Sequence, residues 1–358
     1  MDRAVIGTAA CLDSKTAVFP QRPLVAEAVR RLQNATGGAS LPDESDPSLT
    51  KELPGQMTPI DSANRPNTTP VGQPPAWGRT DRNRLLIWVG IAFLLPAPFL
   101  LALHFGFGQG GSLSTVQRES PAKAITVFFV SLATWIVSRM EKRPLGDYGI
   151  PLHQVLGIRF WEGSVWGFAM LSAILLVLRV SGHFQIDSVS LTGSAAFRYA
   201  LAWAATFLAV SMSEEFGFRG YWLFTFSRRM RFWRAALVIS ALFGAGHIPN
   251  PGENPLGIVQ VVEFGLLLCL TLRRTGNLWF AVGFHTAWDW AETFFYGTPD
   301  SGLLGAGRLL NTSFHGPNWL TGGSAGPEGS IITIFVLLLC ALLVHFRFPK
   351  AVYPDRPV

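Results

Sequence analysis

Two adjacent carboxylates and an arginine form a short polar motif inside an apolar stretch of the sequence. Arg219 stands four residues after the second of the two acids, Glu214 and Glu215. On a helix, Glu215 and Arg219 share a face and can form an ion pair, whereas the Glu214 side chain is rotated by about 100° and points elsewhere. A carboxylate without a basic partner can accept a proton from water and suits the role of general base. The motif therefore predicts one paired and one free carboxylate.

Two histidines and an aspartate lie in later apolar stretches. His247 ends one of them, and His285 precedes Asp289 by four residues in another. This spacing places His285 and Asp289 on one helical face, where they can converge on a water molecule, a metal ion or a polar substrate group. Ionisable groups inside membrane-spanning segments are costly and usually functional. We therefore treat these residues, together with Glu214, as candidate site residues.

The elements that must position these side chains are membrane-spanning helices. Only 15% of the 358 residues are charged and 49% are hydrophobic, whereas soluble domains carry about 25% charged residues. A bilayer-spanning helix needs roughly 20 mostly apolar residues, and the alternating pattern of a membrane barrel is missing from the sequence. We predict an all-α, polytopic membrane helix bundle of about eight transmembrane helices. The predicted spans are residues 85–107, 122–137, 163–180, 195–218, 232–246, 255–272, 278–295 and 329–346.

The N-terminal part of the chain has a different composition. Residues 1–83 are rich in Pro, Ser, Thr, Asn and Asp and cannot bury enough apolar surface to offset the entropy of ordering. We predict a largely disordered cytoplasmic extension there. It has no basic segment followed by an apolar one, so we expect no cleaved secretory signal. The predicted bundle covers residues 84–348, and residues 349–358 are expected to form a short cytoplasmic tail.

The basic residues indicate orientation rather than nucleic-acid binding. They concentrate in alternate connections, as at Arg228, Arg229, Arg231 and Arg234. Because cytoplasmic loops accumulate Lys and Arg, the pattern predicts an integral multi-pass protein of a bacterial inner membrane with both termini in the cytoplasm. The net charge is +6, and the basic residues are scattered over the ends of apolar segments. This distribution does not indicate a phosphate-binding groove. Three cysteines without C-x-x-C spacing make a cysteine zinc site improbable.

Taken in order, the three polar motifs resemble those of the CPBP family of intramembrane proteases, which comprises CAAX proteases and bacteriocin-processing (Abi) proteins. The resemblance covers roughly residues 141–295, less than half of the chain. The turn at residues 147–150, of sequence Asp-Tyr-Gly-Ile, is also similar to the family's connection before its core spans. The motifs are Glu214-Glu215-x-x-x-Arg219, Phe243-x-x-x-His247 and His285-x-x-x-Asp289, where the family has Asn or Asp in the last place.

The resemblance implies an intramembrane endopeptidase that hydrolyses a peptide bond in a membrane-associated substrate. By position, Glu214 would activate the attacking water with help from His247. His285 and Asp289 would bind a metal ion or stabilise the oxyanion of the tetrahedral intermediate. The expected partners are the lipid bilayer and a membrane-bound peptide or protein, for example a prenylated tail or a bacteriocin leader, and no nucleic acid is expected.

The resemblance leaves open whether a metal takes part. His247, His285 and Asp289 are compatible with Zn²⁺ or another divalent metal. The sequence has no His-Glu-x-x-His motif, and a metal-free glutamate mechanism is the alternative. Arg219 would hold Glu215 or orient the site, although the two could equally form only a buried structural ion pair.

Other interpretations of the same residues stay open at this point. Intramembrane Glu, His, Asp and Arg can also form the proton relay of a proton-coupled transporter. A non-catalytic immunity or regulatory protein of the membrane could retain the family's residues. Two further acids within the predicted spans are expected to be peripheral. Glu263 would bond locally or line the cavity from across the site, and Glu292 would support the site or an interface.

Overall fold

The chain folds mainly into α-helices, which confirms the predicted all-α bundle. The computed structural model describes residues 78–107, 115–250 and 252–357. Its α-helices are α1 (Arg79–Val89), α2 (Ala97–Phe107), α3 (Thr115–Glu141), α4 (Ile158–Val180), α5 (Gly193–Glu214), α6 (Leu223–Met230), α7 (Phe232–His247), α8 (Pro255–Thr275), α9 (Leu278–Trp290), α10 (Asn318–Thr321) and α11 (Ile331–Arg347).

Three π-helical segments interrupt or extend these helices. They follow α1 at Gly90–Leu94, join α5 to α6 at Glu215–Trp222, and extend α9 at Ala291–Tyr296. Short 3₁₀ turns occupy Leu145–Tyr148, Leu152–Gln154, Gly323–Ala325 and Pro327–Gly329. A π-helical turn widens the helix and re-aims its side chains, and such turns are frequent at functional sites.

All eight predicted spans are helical. Five helical stretches in the described residues are long and apolar enough to cross a membrane by length and composition, namely Arg79–Phe105, Ser120–Glu141, Ile158–Val180, Gly193–Met230 and Pro255–Thr275. The C-terminal helix Ile331–Arg347 is apolar but shorter. Helix α7, at 16 residues, is as short as predicted.

A small antiparallel ribbon accompanies the helices. Strand β1 (Phe184–Val189) pairs with β2 (Leu310–Phe314), and a register shift falls after Ile186. Phe184 is buried and its ring lies 5.2 Å from that of Phe314, so the apolar ends of the two strands meet. The ribbon joins the connection after α4 to the connection before α10.

The limits of the bundle differ from the predicted ones at both ends. The predicted disordered extension lies outside the described residues as far as residue 77, and α1 already begins at Arg79 rather than at residue 84. Asp81 in its first turn forms an ion pair with Arg229, which explains the earlier start. At the other end, Tyr353 is buried and its hydroxyl donates to the carbonyl oxygen of Asp147 at 3.0 Å. The predicted tail therefore packs against the bundle.

Helices α4 and α9 pack so closely that their backbones are in contact. A Cβ atom at Gly163 would lie 2.0 Å from the carbonyl oxygen of Phe280, and one at Gly167 would lie 2.1 Å from that of Phe284. On the facing helix, a Cβ atom at Gly283 would lie 2.0 Å from a carbonyl oxygen of α4. Small residues spaced by four allow such close packing of membrane helices. The contact fixes α9, which carries the predicted histidine and aspartate.

We expect Gly283→Val to destabilise the protein. The added carbon atoms must push the carbonyl of α4 away, which should lower the free energy of unfolding by about 3 kcal/mol. The measurement is the unfolding midpoint of the purified protein in detergent. Gly90→Ala is the matched control, because a Cβ atom there meets nothing within 4 Å. Equal stability of the Gly283→Val variant and the wild type would contradict the close packing.

Candidate functional site

The first polar motif lies at the junction of α5 with the π-helical segment Glu215–Trp222. Glu214 is the last residue of α5, and Glu215 opens the wider turn. Two glycines allow the turn to pack closely, since a Cβ atom at Gly217 would already lie 3.4 Å from the Trp88 ring. A Cβ atom at Gly220 would lie at the same distance from the Ile150 side chain. The two neighbouring acids consequently point into different surroundings.

Glu215 is fully buried and joins two other site residues. Its Oε1 atom accepts a hydrogen bond from Arg219 Nη1 at 3.0 Å, and neither side chain of this ion pair has any exposed surface. The same oxygen lies 3.0 Å from His285 Nδ1. Because a carboxylate can only accept, the Nδ1 atom carries the proton of this hydrogen bond. The predicted ion pair is therefore present, and it also orients a histidine.

His285 presents its other ring nitrogen to two more carboxylates. The Nε2 atom lies 3.5 Å from Asp289 Oδ2 and 3.8 Å from Glu214 Oε2. The ring packs edge-on against Phe264, with centroids 5.2 Å apart. The Glu214 side chain is 27% exposed, so it is the acid of this group that solvent can reach. The predicted i,i+4 pair on α9 thus converges with the free acid of the first motif.

His247 ends α7 with one nitrogen engaged. Its Nδ1 atom lies 2.8 Å from the carbonyl oxygen of Phe243, and because a carbonyl only accepts, Nδ1 is the donor. The Nε2 atom of the neutral ring is then an acceptor. A backbone hydrogen bond of this kind is common for a histidine at a helix end. The contact is present, and the ring also lines the cavity that contains the other site residues.

One cavity of about 290 Å³ brings the predicted residues together. Its lining includes Glu214, His247, His285 and Asp289, while Glu215 and Arg219 are not among the lining residues. The four predicted catalytic residues thus surround one space, and the two supporting residues lie behind its wall. Further lining residues that the motifs did not indicate are Lys123, Gln260, Asp300 and Glu328.

A second, apolar cavity of about 210 Å³ adjoins the first. Glu214 and Lys123 line both cavities. The rest of the second cavity is mainly aromatic and aliphatic, with Trp88, Phe93, Val130, Phe218 and Trp222 in its wall. Glu214 therefore stands between the cavity that contains the ionisable site residues and a second one that is more apolar. Lys123 falls at the second position of the predicted span 122–137, and no motif indicated a role for it.

The remaining buried acids differ in what surrounds them. Both carboxylate oxygens of Glu263 and of Glu292 are buried without a hydrogen-bond partner among the described residues. Glu263 therefore does not form the predicted local hydrogen bond. Neither residue lines the cavity, so the alternative expectation for Glu263 is not met either. Asp300, in the connection after α9, does line it. Burial and the neighbouring Glu328 carboxylate raise the pKa of Asp300 to about 7.

The predicted metal ligands do not converge closely in this geometry. A metal site needs three or more His, Cys, Asp or Glu donor atoms close together. Within the described ranges, one such group has all its donor atoms within 4.8 Å of one another, and it consists of Glu292, Asp300 and Glu328. His247, His285 and Asp289 do not meet that distance, although a bound zinc ion would hold its donors about 2 Å from the metal. We therefore derive no chemical step through a metal at these three residues.

Comparison with known families supports the motif assignment. Residues 195–291 match the Rce1-like family, which is described as type II CAAX prenyl endopeptidase Rce1-like. This stretch contains all three motifs, and the match confirms the resemblance. The description of that family names a prenyl endopeptidase, and this is what the matched stretch is similar to. No curated protein and no solved structure gives a significant match to the chain.

We expect Arg219→Leu to destabilise the protein strongly. The substitution leaves the Glu215 carboxylate buried without its cation, which should lower the free energy of unfolding by about 3–5 kcal/mol. The measurement is chemical unfolding of the purified protein in detergent micelles.

Two further variants make this prediction specific. Arg159→Leu removes the arginine of a partly exposed ion pair with Glu162 and should cost about 1 kcal/mol or less. The double variant Glu215→Leu/Arg219→Leu removes both buried charges and should be more stable than Arg219→Leu alone. If the double variant is the less stable of the two, the unpaired charge of Glu215 is not the cause of the destabilisation by Arg219→Leu.

Proposed function

We propose that the chain is an intramembrane endopeptidase of the CAAX-protease/Abi type that cleaves its substrate with a water molecule activated by Glu214 and His247. The observation that carries this proposal is the convergence of Glu214, His247, His285 and Asp289 on one cavity within the helices. Catalysis by hydrolysis needs a base, a donor for the developing oxyanion and a supply of water, and this cavity offers all three.

In the proposed reaction, Glu214 is the general base. Its partly exposed carboxylate takes a proton from a water molecule whose other hydrogen is accepted by His247 Nε2. The water oxygen attacks the carbonyl carbon of the scissile bond, and the carbonyl electrons move to its oxygen. Glu214 then gives the proton to the amide nitrogen, the C–N bond breaks, and the carboxylate is restored. Each step conserves atoms and charge without any further reactant.

His285 and Asp289 support the tetrahedral intermediate. Protonated on both nitrogens, the imidazole would face the oxyanion with a positive charge, held in place by Glu215 at Nδ1. Asp289, 3.5 Å from Nε2, keeps the ring from turning toward solvent.

The second cavity supports a lipidated or strongly apolar substrate. It is lined largely by aromatic side chains, meets the first cavity at Glu214, and could hold a prenyl group or apolar side chain next to the scissile bond. Lys123, at the same junction, is the one Lys or Arg among the residues that line either cavity. Its ammonium group suits the free carboxylate of a substrate C-terminus. Both features fit a short, apolar C-terminal tail as substrate.

We expect Glu214→Gln to abolish cleavage while the protein stays folded. The amide has the same shape but cannot accept the proton, which should lower the rate by about 10²–10⁴-fold. The measurement is turnover of a fluorogenic prenylated CAAX peptide by the purified protein in liposomes. Full turnover by Glu214→Gln would refute the assignment of the base.

Two controls separate this result from other causes. Glu263→Gln changes a buried acid that does not line the cavity and should leave the rate unchanged. If the wild type does not cleave the prenylated peptide, the termini of membrane proteins from cells with wild-type protein or Glu214→Gln can be compared by mass spectrometry. Proton flux in proteoliposomes without any cleavage would favour the transporter instead.

A further inference from the structure

A second cluster of carboxylates lies beside the cavity and has no role in the proposed reaction. It consists of Glu292, Asp300 and Glu328, which come from three different segments of the chain. Glu292 lies in the π-helical extension of α9, Asp300 in the connection that follows, and Glu328 in the 3₁₀ turn Pro327–Gly329. One oxygen from each of them lies within 4.8 Å of the oxygens of the other two.

Glu292 is the member that requires an explanation. The residue has no exposed surface, and both of its carboxylate oxygens lack a hydrogen-bond partner within the described part of the chain. One of these oxygens is directed at the other two carboxylates. A buried polar group is normally paired, and an unpaired buried charge is much more costly than an unpaired hydroxyl. Glu292 therefore points at a position that a ligand would fill.

The other two carboxylates are held in place by neutral donors. Glu328 accepts from Trp288 Nε1 at 3.2 Å and from the backbone N–H and hydroxyl of Ser301 at 3.1 and 2.8 Å. Asp300 accepts from the Thr293 hydroxyl at 3.0 Å. These bonds orient the oxygens but bring no positive charge. None of the three acids forms an ion pair with an Arg or Lys of the described residues.

We propose that Glu292, Asp300 and Glu328 bind one divalent cation of the hard, oxygen-preferring class, such as Ca²⁺, Mg²⁺ or Mn²⁺. Calcium lies about 2.3–2.6 Å from each oxygen ligand, so oxygens on opposite sides of it stand about 4.6–5.2 Å apart. The three oxygens all lie within 4.8 Å of one another, so a single ion of this size can contact all of them. The absence of histidine and cysteine from the cluster disfavours zinc. This site differs in both position and ligand type from the predicted set His247, His285 and Asp289.

The bound cation would act as a clamp on one wall of the cavity. Asp300 and Glu328 line that wall, and Glu292 lies one helical turn after Asp289 on the same continuous helix. Binding would connect the end of α9 to the connection at residues 297–304 and to the turn before α11. The proposal rests on the carboxylates alone and does not require the protein to be a protease.

The test uses the full-length protein in detergent after removal of metals with a chelator. We expect Ca²⁺, Mg²⁺ or Mn²⁺ at about 1 mM to raise the unfolding midpoint by about 5 °C. Elemental analysis after gel filtration should find about one equivalent of the tightest-binding ion per chain. Sodium chloride at equal ionic strength should not reproduce the shift, because screening acts on exposed charges.

Glu292→Gln keeps the size of the side chain but removes one ligand charge. We expect this variant to lose both the shift and the bound ion. Asp300→Asn is the second variant if Glu292→Gln does not fold. Glu263→Gln is the matched control, since it also removes a buried, unpartnered carboxylate and should retain the full shift.

Three outcomes would overturn the proposal. The first is that none of the three cations changes the stability of the wild type or remains bound. The second is that Glu292→Gln and Asp300→Asn keep the full shift. The third is stabilisation by acidification alone with no response to cations, which would mean that protons neutralise the cluster. Loss of the shift with unchanged peptide cleavage would support the site independently of the proposed function.

Discussion

A buried carboxylate bound to an arginine on one side and a histidine on the other determines the geometry of the whole site. Glu215 and Arg219 have no access to solvent, so each charge depends on the other for compensation. Because the same oxygen of Glu215 also contacts His285, the π-helical turn after α5 and the helix α9 cannot shift independently. The position of the imidazole therefore follows from an electrostatic requirement.

Two other helices pack against the buried guanidinium of Arg219. The Arg219 guanidinium stacks over the ring of Phe243 on α7 at 4.1 Å from its centroid, an attraction of the cation–π type. On α8, a Cβ atom at Gly265 would lie 2.8 Å from Arg219 Nη2, so only glycine leaves room for the side chain. The arginine thus contacts the helix that carries His247 and the helix that faces it. The four helices of the site are organised around one positive charge.

Local spacing was sufficient to predict much of this arrangement. The i,i+4 rule predicts the Glu215–Arg219 pair and the shared face of His285 and Asp289, because both depend only on helical geometry. The helical spans follow from apolar runs of sufficient length. What spacing could not predict is the π-helical turn at Glu215 itself, since that turn packs against side chains distant in sequence, such as Trp88. Nor could it predict that Glu215 would also contact His285, because this requires two helices distant in sequence to pack together.

Features that depend on connections between helices could not be predicted at all. Asp300 and Glu328 stand in segments rich in Gly, Pro and Ser, where sequence pattern alone gives no direction for a side chain. Glu292 was expected only to support the site or an interface, because its partners are separated from it by a long connection. Lys123 falls at the start of a predicted span, and its position in the sequence does not indicate that it lines both cavities. In each case the missing information is tertiary.

The position of Glu214 between the cavity of the ionisable residues and the more apolar cavity has a consequence for ligand design. A compound that fills only one of the two spaces leaves the other available, and each space alone offers modest binding energy. A molecule with an apolar arm and a polar head joined across the carboxylate would occupy both spaces at once. The second contact would then form at a high effective concentration, so affinity would gain more than either fragment suggests. The apolar arm would occupy the cavity lined by Trp88, Phe93, Val130, Phe218 and Trp222.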